Sequence, residues 1–169
     1  MNLQPTLTDE LVHIRPLRSS DRELLYRVAQ NPVLWDQHPA KRYRREVFDR
    51  FFEESLKTEA ALTIEDRATG KVIGSSRYEV FEENDRVIEI GWSYLDQSYW
   101  GGTYNGAVKR LMIDHALREF DHVVLIIAAE NFRSQRAAAK IGARRLGPEE
   151  MPEIPGLAPD KLRYLISRK

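Results

Sequence analysis

The chain has 169 residues, 42% hydrophobic and 31% charged, with Lys plus Arg equal to Asp plus Glu at 26 each. That is enough for one domain with one core and too apolar for a disordered chain. It also lacks the net charge that draws a protein to nucleic acid or an anionic membrane. With no cysteine, disulfides, thiolate nucleophiles and thiolate metal sites are excluded.

Residues 1–10 are polar and carry no signal-peptide core, and no apolar run approaches the length of a membrane span, so the expected location is the cytoplasm. Leu11 to Arg18 alternates apolar and polar residues and predicts a half-buried strand. A helix capped by Ser19 or Ser20 is predicted next, with Leu24, Leu25 and Val28 as its apolar stripe, ending at Asn31-Pro32. An irregular stretch with Trp35, His38 and Tyr43 precedes a second helix over Arg45 to Lys57. Three strands follow, over Ala60–Asp66, Val72–Phe81 and Val87–Leu95, joined by short turns as in an antiparallel meander. A glycine loop then leads into a helix over Asn105 to Phe120, with Lys109, Arg110, Asp114 and Arg118 on its polar arc. The apolar run Val123 to Ala129 predicts a strand covered on both faces. A helix from Ser134 to Ile141 stops at Gly142, and a last strand runs from Leu162 to Ser167. Between Gly147 and Asp160, Pro148, Pro152, Pro155 and Pro159 mark a mobile loop or lid. This order describes one layered α/β (α+β) domain over residues 1–169, with helices packed on a central sheet.

Two stretches carry chemistry. In Glu89 to Lys109 (EIGWSYLDQSYWGGTYNGAVK), a strand meets a Gly-Gly turn and a helix start, where uncovered N–H groups and the helix dipole favour a phosphate. The alternative is an ordinary strand-to-helix turn. In Glu130 to Gly142 (ENFRSQRAAAKIG), Asn131 and Ser134 stand at a helix start. Arg133, Arg136 and Lys140 share one helical face, either solvated or in contact with a phosphate-bearing ligand. The four histidines show no metal-ligand spacing, so no metal is expected.

The order Ile90-Gly91-Trp92, Tyr99-Trp100-Gly101, Asn131-Phe132-Arg133-Ser134 and Lys140-Ile141-Gly142 resembles the acetyl-coenzyme A core of GNAT acetyltransferases, in particular the RimJ/RimL-like branch. The likeness covers nearly the whole chain. The family's phosphate loop, commonly Arg/Gln-x-x-Gly-x-Gly/Ala, is replaced here by Trp100, Thr103 and Asn105, similar to a Thr-x-Asn-x-x-x-Lys variant ending at Lys109. Ala143 stands where many members have an aromatic residue. The resemblance implies a mostly antiparallel mixed sheet with helices on both faces, and acetyl transfer from acetyl-CoA to a primary amine by direct attack in a ternary complex. The amine would belong to a protein N-terminus or a small molecule.

The resemblance also implies roles. Glu89 is the candidate base that takes the amine's proton; the competing reading is a structural Glu paired with a cation such as Arg77. Trp92, Ser93, Tyr94 and Leu95 would lie along the pantetheine arm, with a backbone N–H of Gly91–Ser93 polarising the carbonyl. Gly101, Gly102, Thr103, Tyr104 and Asn105 would hold the pyrophosphate, with Lys109 and Arg136 adding charge. Asn131 would bond the pantetheine, and Ser134 would protonate the departing thiolate, cap its helix, or both. Trp35, His38, Arg77 and the Pro-rich loop are the candidate acceptor contacts, and His38 is a second possible base. The expected partners are acetyl-CoA and the amine acceptor, without nucleic acid or membrane, as a monomer or homodimer. The rival readings are a non-catalytic acyl-CoA sensor on the same fold and a phosphometabolite binder using the Gly101-Gly102 turn.

Overall fold

Strand periodicity sets the architecture. The computed structural model describes residues 1–147, 149–150 and 160–168. Its strands are β1 (Leu7–Thr8), β2 (Val12–Pro16), β3 (Ala61–Asp66), β4 (Val72–Phe81), β5 (Asn84–Leu95), β6 (His122–Ala128), β7 (Arg144–Arg145) and β8 (Lys161–Ser167). Its helices are α1 (Arg22–Ala29), α2 (Arg45–Lys57), α3 (Tyr104–Ala116) and α4 (Phe132–Lys140). Among the described residues the strands form one sheet in the order β1-β2-β3-β4-β5-β6-β8-β7. Only the β5–β6 pair is parallel, so the mixed, mostly antiparallel sheet expected from the sequence is the one formed. Pro148, Pro152, Pro155 and Pro159, expected to shape a lid, lie outside the described residues.

Each sheet face has its own core. On one face Val12, Ile14, Leu62 and Ile64 pack with Val108, Met112 and Ala116 of α3 and Ala138 of α4. On the other, Ala61, Val72 and Tyr94 pack with Leu25 and Val28 of α1 and with Phe48, Phe51 and Phe52 of α2. Alternation along β3 sends Ala61 to one core and Leu62 to the other, as a period of two requires. Among the described residues no helix is long and apolar enough to cross a membrane.

Some expectations are corrected. Neither Ser19 nor Ser20 caps α1. The buried Asp21 stands there instead, accepting from both terminal nitrogens of Arg15 (2.8 and 2.9 Å), the Thr63 hydroxyl and the Arg18 N–H. Leu24 is 41% exposed and does not join the apolar stripe, which is Leu25, Val28 and Ala29. Helix α3 stops at Ala116 rather than Phe120. Lys109, expected on the polar arc of α3, is buried. The two-residue strands β1 and β7 are too short to carry a periodic signal.

Candidate functional site

The site begins where two neighbouring strands part. β5 and β6 pair only from Val87↔His122 to Glu89↔Val124. Beyond that point a cleft opens between Ile90–Leu95 and Leu125–Ala128, walled by α3 and α4. It has one lobe of about 170 Å³ and another of about 580 Å³, which share His38, Ser93, Asn105, Asn131 and Ser134.

A β-bulge shapes β5 at the point of divergence. Arg77 pairs with Gly91 and Ser75 with Tyr94, so Trp92 and Ser93 together oppose the single residue Ser76. The extra residue reverses the alternation. Ile88 and Ile90 enter the α3-side core before the bulge, whereas after it Leu95 does and Tyr94 enters the α1–α2 core. Trp92 takes a left-handed backbone conformation (φ 53°), a strain of about 1 kcal/mol or more for a side-chain-bearing residue. The Arg77 guanidinium lies 3.5 Å from the centre of its indole ring and holds it there. Neither Trp92 nor Ser93 has a ladder partner in β4 or β6, which leaves their peptide groups to the cleft.

Glu89 sits two residues before this bulge, on the face opposite α3. It is 8% exposed and makes no hydrogen bond or ion pair among the described residues. Burial, reinforced by Glu79 directly across on β4, pushes it up to about 7 against the opposing pull of Arg77 and Lys109. The structural pairing with Arg77 is not formed, because Arg77 turns to Glu79 (3.6 Å) and to Trp92. A Cβ at Gly91 would stand 2.7 Å from Glu89 Oε1, so a side chain there would displace the carboxyl. Glu89 itself lines neither lobe, whereas its neighbours Ile90 and Gly91 line the smaller one; a carboxyl titrating near 7 one residue behind that wall is suited to accept a proton at neutral pH.

On the α3 side of the bulge a polar chain runs inward. Lys109 Nζ donates to Ser93 Oγ at 2.5 Å, and Ser93 Oγ meets Ser76 Oγ at 2.7 Å. Burial pulls the Lys109 ammonium down to about 8, with Glu89 opposing. The chain braces the bulge and places a cation on the wall of the smaller lobe. The Ser76–Ser93–Lys109 link is absent from the sequence reading, although its helical half was accessible: Lys109, Met112, Ile113 and Ala116 fall on one arc.

The glycine turn is held at both ends. Tyr99 and Tyr104 both donate to Asp66 (3.2 and 3.1 Å), and Trp100 Nε1 donates to the Leu95 carbonyl at 2.9 Å. Gly101 takes the left-handed φ of 73° that favours glycine, whereas Gly102 needs no such freedom. Gly101, Gly102 and Asn105 line the larger lobe at the start of α3, where unpaired N–H groups and the dipole favour an anion. Thr103 stands exposed at the helix start with no side-chain cap. The Tyr104 side chain is committed to Asp66, so its phenol is not available to a pyrophosphate and only its backbone lies at the helix start.

Across the cleft, Asn131 caps α4 by accepting from the Ser134 N–H at 3.1 Å. Asn131 is thus the cap, and the Ser134 hydroxyl has no partner among the described residues while lining both lobes. Arg136 and Lys140 line the larger lobe. Arg133 borders the same lobe, but its guanidinium is already engaged, stacked on Trp100 (4.1 Å) and paired with Asp36 at 3.0 Å.

Trp35 is core and wall at once. It is 2% exposed, donates to the Ala29 carbonyl and borders the larger lobe. His38 lines both lobes, and burial, then Arg42, lowers it to about 4. Its Nδ1 lies 2.9 Å from the Ala40 nitrogen and 3.3 Å from the Ala40 carbonyl oxygen, so the ring is held against its own loop and is neutral at pH 7. Arg77 lies under Trp92 and lines neither lobe. No group of three potential metal ligands occurs among the described residues.

Comparison with known proteins places this geometry in a class. Residues 12–144 match the family model described as an acetyltransferase (GNAT) domain. The chain belongs to the GNAT acetyltransferase family, acyltransferases whose cosubstrate is acetyl-CoA. Among solved structures, a GNAT-family acetyltransferase from Bacillus anthracis superposes with a TM-score of 0.78 at 16% identity, covering 96% of this chain and 98% of that one. RimJ of Mycobacterium smegmatis, solved with CoA-disulfide, has a TM-score of 0.68 at 21% identity, over 92% and 81% of the two chains. The microcin C7 self-immunity acetyltransferase MccE, solved with acetyl-CoA and AMP, has a TM-score of 0.74 at 18% identity, over 99% of each chain. No curated protein sequence matches.

Proposed function

We propose that this protein is a RimJ/RimL-like N-acetyltransferase of the cytoplasm that moves the acetyl group of acetyl-CoA to a primary amine by direct attack in a ternary complex. The observation that carries this reading is the unpaired carboxyl of Glu89, poised near 7 just before Ile90, Gly91 and the Trp92–Ser93 bulge, which line the cleft. A free alkyl amine titrates near 10 and is mostly protonated at neutral pH. Glu89 takes that proton, directly or through one water, and the neutral amine attacks the thioester carbon. The developing oxyanion is met by a peptide N–H of the bulge, which no strand claims. Ser134, its hydroxyl free, returns a proton to the departing thiolate. The start of α3 with Gly101 and Asn105, together with Arg136, balances the pyrophosphate charge.

Isothermal titration of the purified protein with acetyl-CoA, followed by an amine panel read as release of coenzyme A, tests the proposal. Binding together with amine-dependent release, lost in Glu89→Gln, is the expected result. Binding without release by any amine would favour a sensor on the same fold, and absence of binding by folded protein would refute both.

A further inference from the structure

On the α1–α2 side of the cleft, three polar groups lack partners. Arg42 is 9% exposed and makes no hydrogen bond or ion pair among the described residues. Its guanidinium lies 4.0 Å from the ring centre of Phe51 and 5.3 Å from that of Trp35, the latter a wall of the larger lobe. The Tyr94 hydroxyl and Arg77 Nε are both fully enclosed and unpaired. Tyr94 packs its ring on Trp35 (5.4 Å) and Phe51 (6.2 Å), the same two rings that hold Arg42. Each arginine lowers or is lowered by its neighbours here: burial pulls Arg42 down to about 10, and Arg77 repels it in turn.

Cation–π contact with two rings offsets part of the cost of burying Arg42, but a buried cation without a carboxylate partner keeps most of that cost. The carboxylates that feel these arginines do not relieve it. Glu54 is exposed and forms no ion pair with either, and Glu79 reaches Arg77 only at 3.6 Å. Arg42 and the idle Tyr94 hydroxyl therefore share the Trp35 and Phe51 rings that back the larger lobe, with Arg77 near enough for its charge to be felt, and an anion there would complete them. The place is close to the reacting centre: Arg77 pairs with Gly91, two residues from Glu89, and Arg42 borders His38 and Trp35 on the cleft wall.

We infer that Arg42, with the Tyr94 hydroxyl and Arg77, anchors an anionic group, a carboxylate or a phosphate monoester, carried by the amine acceptor a few bonds from its nitrogen. Identifying this ligand as the acceptor rests on the acetyl-transfer reading, whereas the anion site does not. The substrate class is thus a small amino acid or a phosphorylated amine, in preference to an uncharged amine.

The test has two parts. First, the full-length protein with coenzyme A bound is titrated with acetate and with inorganic phosphate, in wild type, Arg42→Met and Tyr94→Phe. Second, transfer is measured on L-leucine against L-leucinamide and on phosphoethanolamine against ethanolamine. Saturable binding of one of the two ions is expected, abolished in Arg42→Met and weakened in Tyr94→Phe, which keeps the ring packing. A KM roughly tenfold lower for the charged member of one pair is expected in wild type and lost in Arg42→Met, with coenzyme A affinity unchanged. The pair that shows the preference identifies carboxylate or phosphate. The proposal is overturned if neither ion binds saturably to wild type, or if Arg42→Met, still folded and binding coenzyme A, keeps the preference. Anion binding that requires Arg42 without transfer to any amine would leave the anchor standing and remove the acetyl-transfer reading.

Discussion

Glu89→Gln separates catalysis from stability in one substitution. Burial raises the Glu89 carboxyl from 4.5 to about 7 in the folded protein. Below pH 4.5 it is neutral in both folded and unfolded chains, and above about 7 it is ionised in both. Between these values the folded state keeps a proton that the unfolded chain has released, so stability falls as pH rises through this window. The difference corresponds to about 3 kcal/mol at pH 8. The neutral amide carries no such cost. The variant is therefore expected to be more stable than wild type by about 3 kcal/mol at pH 8, with the gain shrinking below about 1 kcal/mol by pH 5. Transfer should fall by about 10²–10⁴, and wild-type kcat/KM should rise with pH and level off above about 7. Urea denaturation followed by tryptophan fluorescence at the two pH values, together with coenzyme A release, measures all three. An equal stability difference at pH 5 and pH 8 would show that Glu89 titrates normally, and an unchanged rate would remove it as the base.

Further substitutions probe the neighbours. Lys109, lowered to about 8 by burial, costs the fold most below that value. Lys109→Met should therefore stabilise the protein by about 2 kcal/mol at pH 7, after losing the Ser93 hydrogen bond, and add nothing above pH 10.5. Gly101→Ala, at φ 73°, should cost about 1 kcal/mol in thermal denaturation, whereas Gly102→Ala should change stability by less than about 0.5 kcal/mol. Asn131→Ala should cost about 1 kcal/mol as a lost helix cap. Ser134→Ala should leave stability within about 0.5 kcal/mol and lower kcat without changing acetyl-CoA affinity; a comparable stability loss in both would return the cap to Ser134.

Periodicity made most of the fold legible. Val123 to Ala129 reads as a covered strand because both faces are apolar; Val123, Leu125 and Ile127 do enter the α3-side core, whereas Ile126 and Ala128 stay half-buried on the open cleft. The glycine turn and the helix after it are legible because glycine and helix starts act locally. The errors share a cause: they depend on contacts made across the chain. Leu24 looks like part of a stripe but stands one position before the Leu25, Val28 and Ala29 face, a turn of about 100° that carries it to solvent. Ser134 looks like a cap because serine caps helices, yet Asn131 stands three residues earlier and takes its N–H.

The bulge at Trp92 left one mark in the sequence. Glu89 to Leu95 alternates as a regular strand until Tyr94 and Leu95, two large apolar residues side by side, which a half-buried strand does not place together without a change of phase. That change is what separates the two faces of the site. Before it, Glu89 lies with Arg77 and Glu79 on the α1–α2 side; after it, Ser93 reaches Lys109 on the α3 side. One extra residue thus puts a carboxyl on one side of the sheet and a cation on the other, while freeing the peptide groups between them. Arg42 left no mark at all, because its cage is assembled from Trp35 and Phe51, beside Tyr94, residues whose meeting depends on the whole sheet being in register.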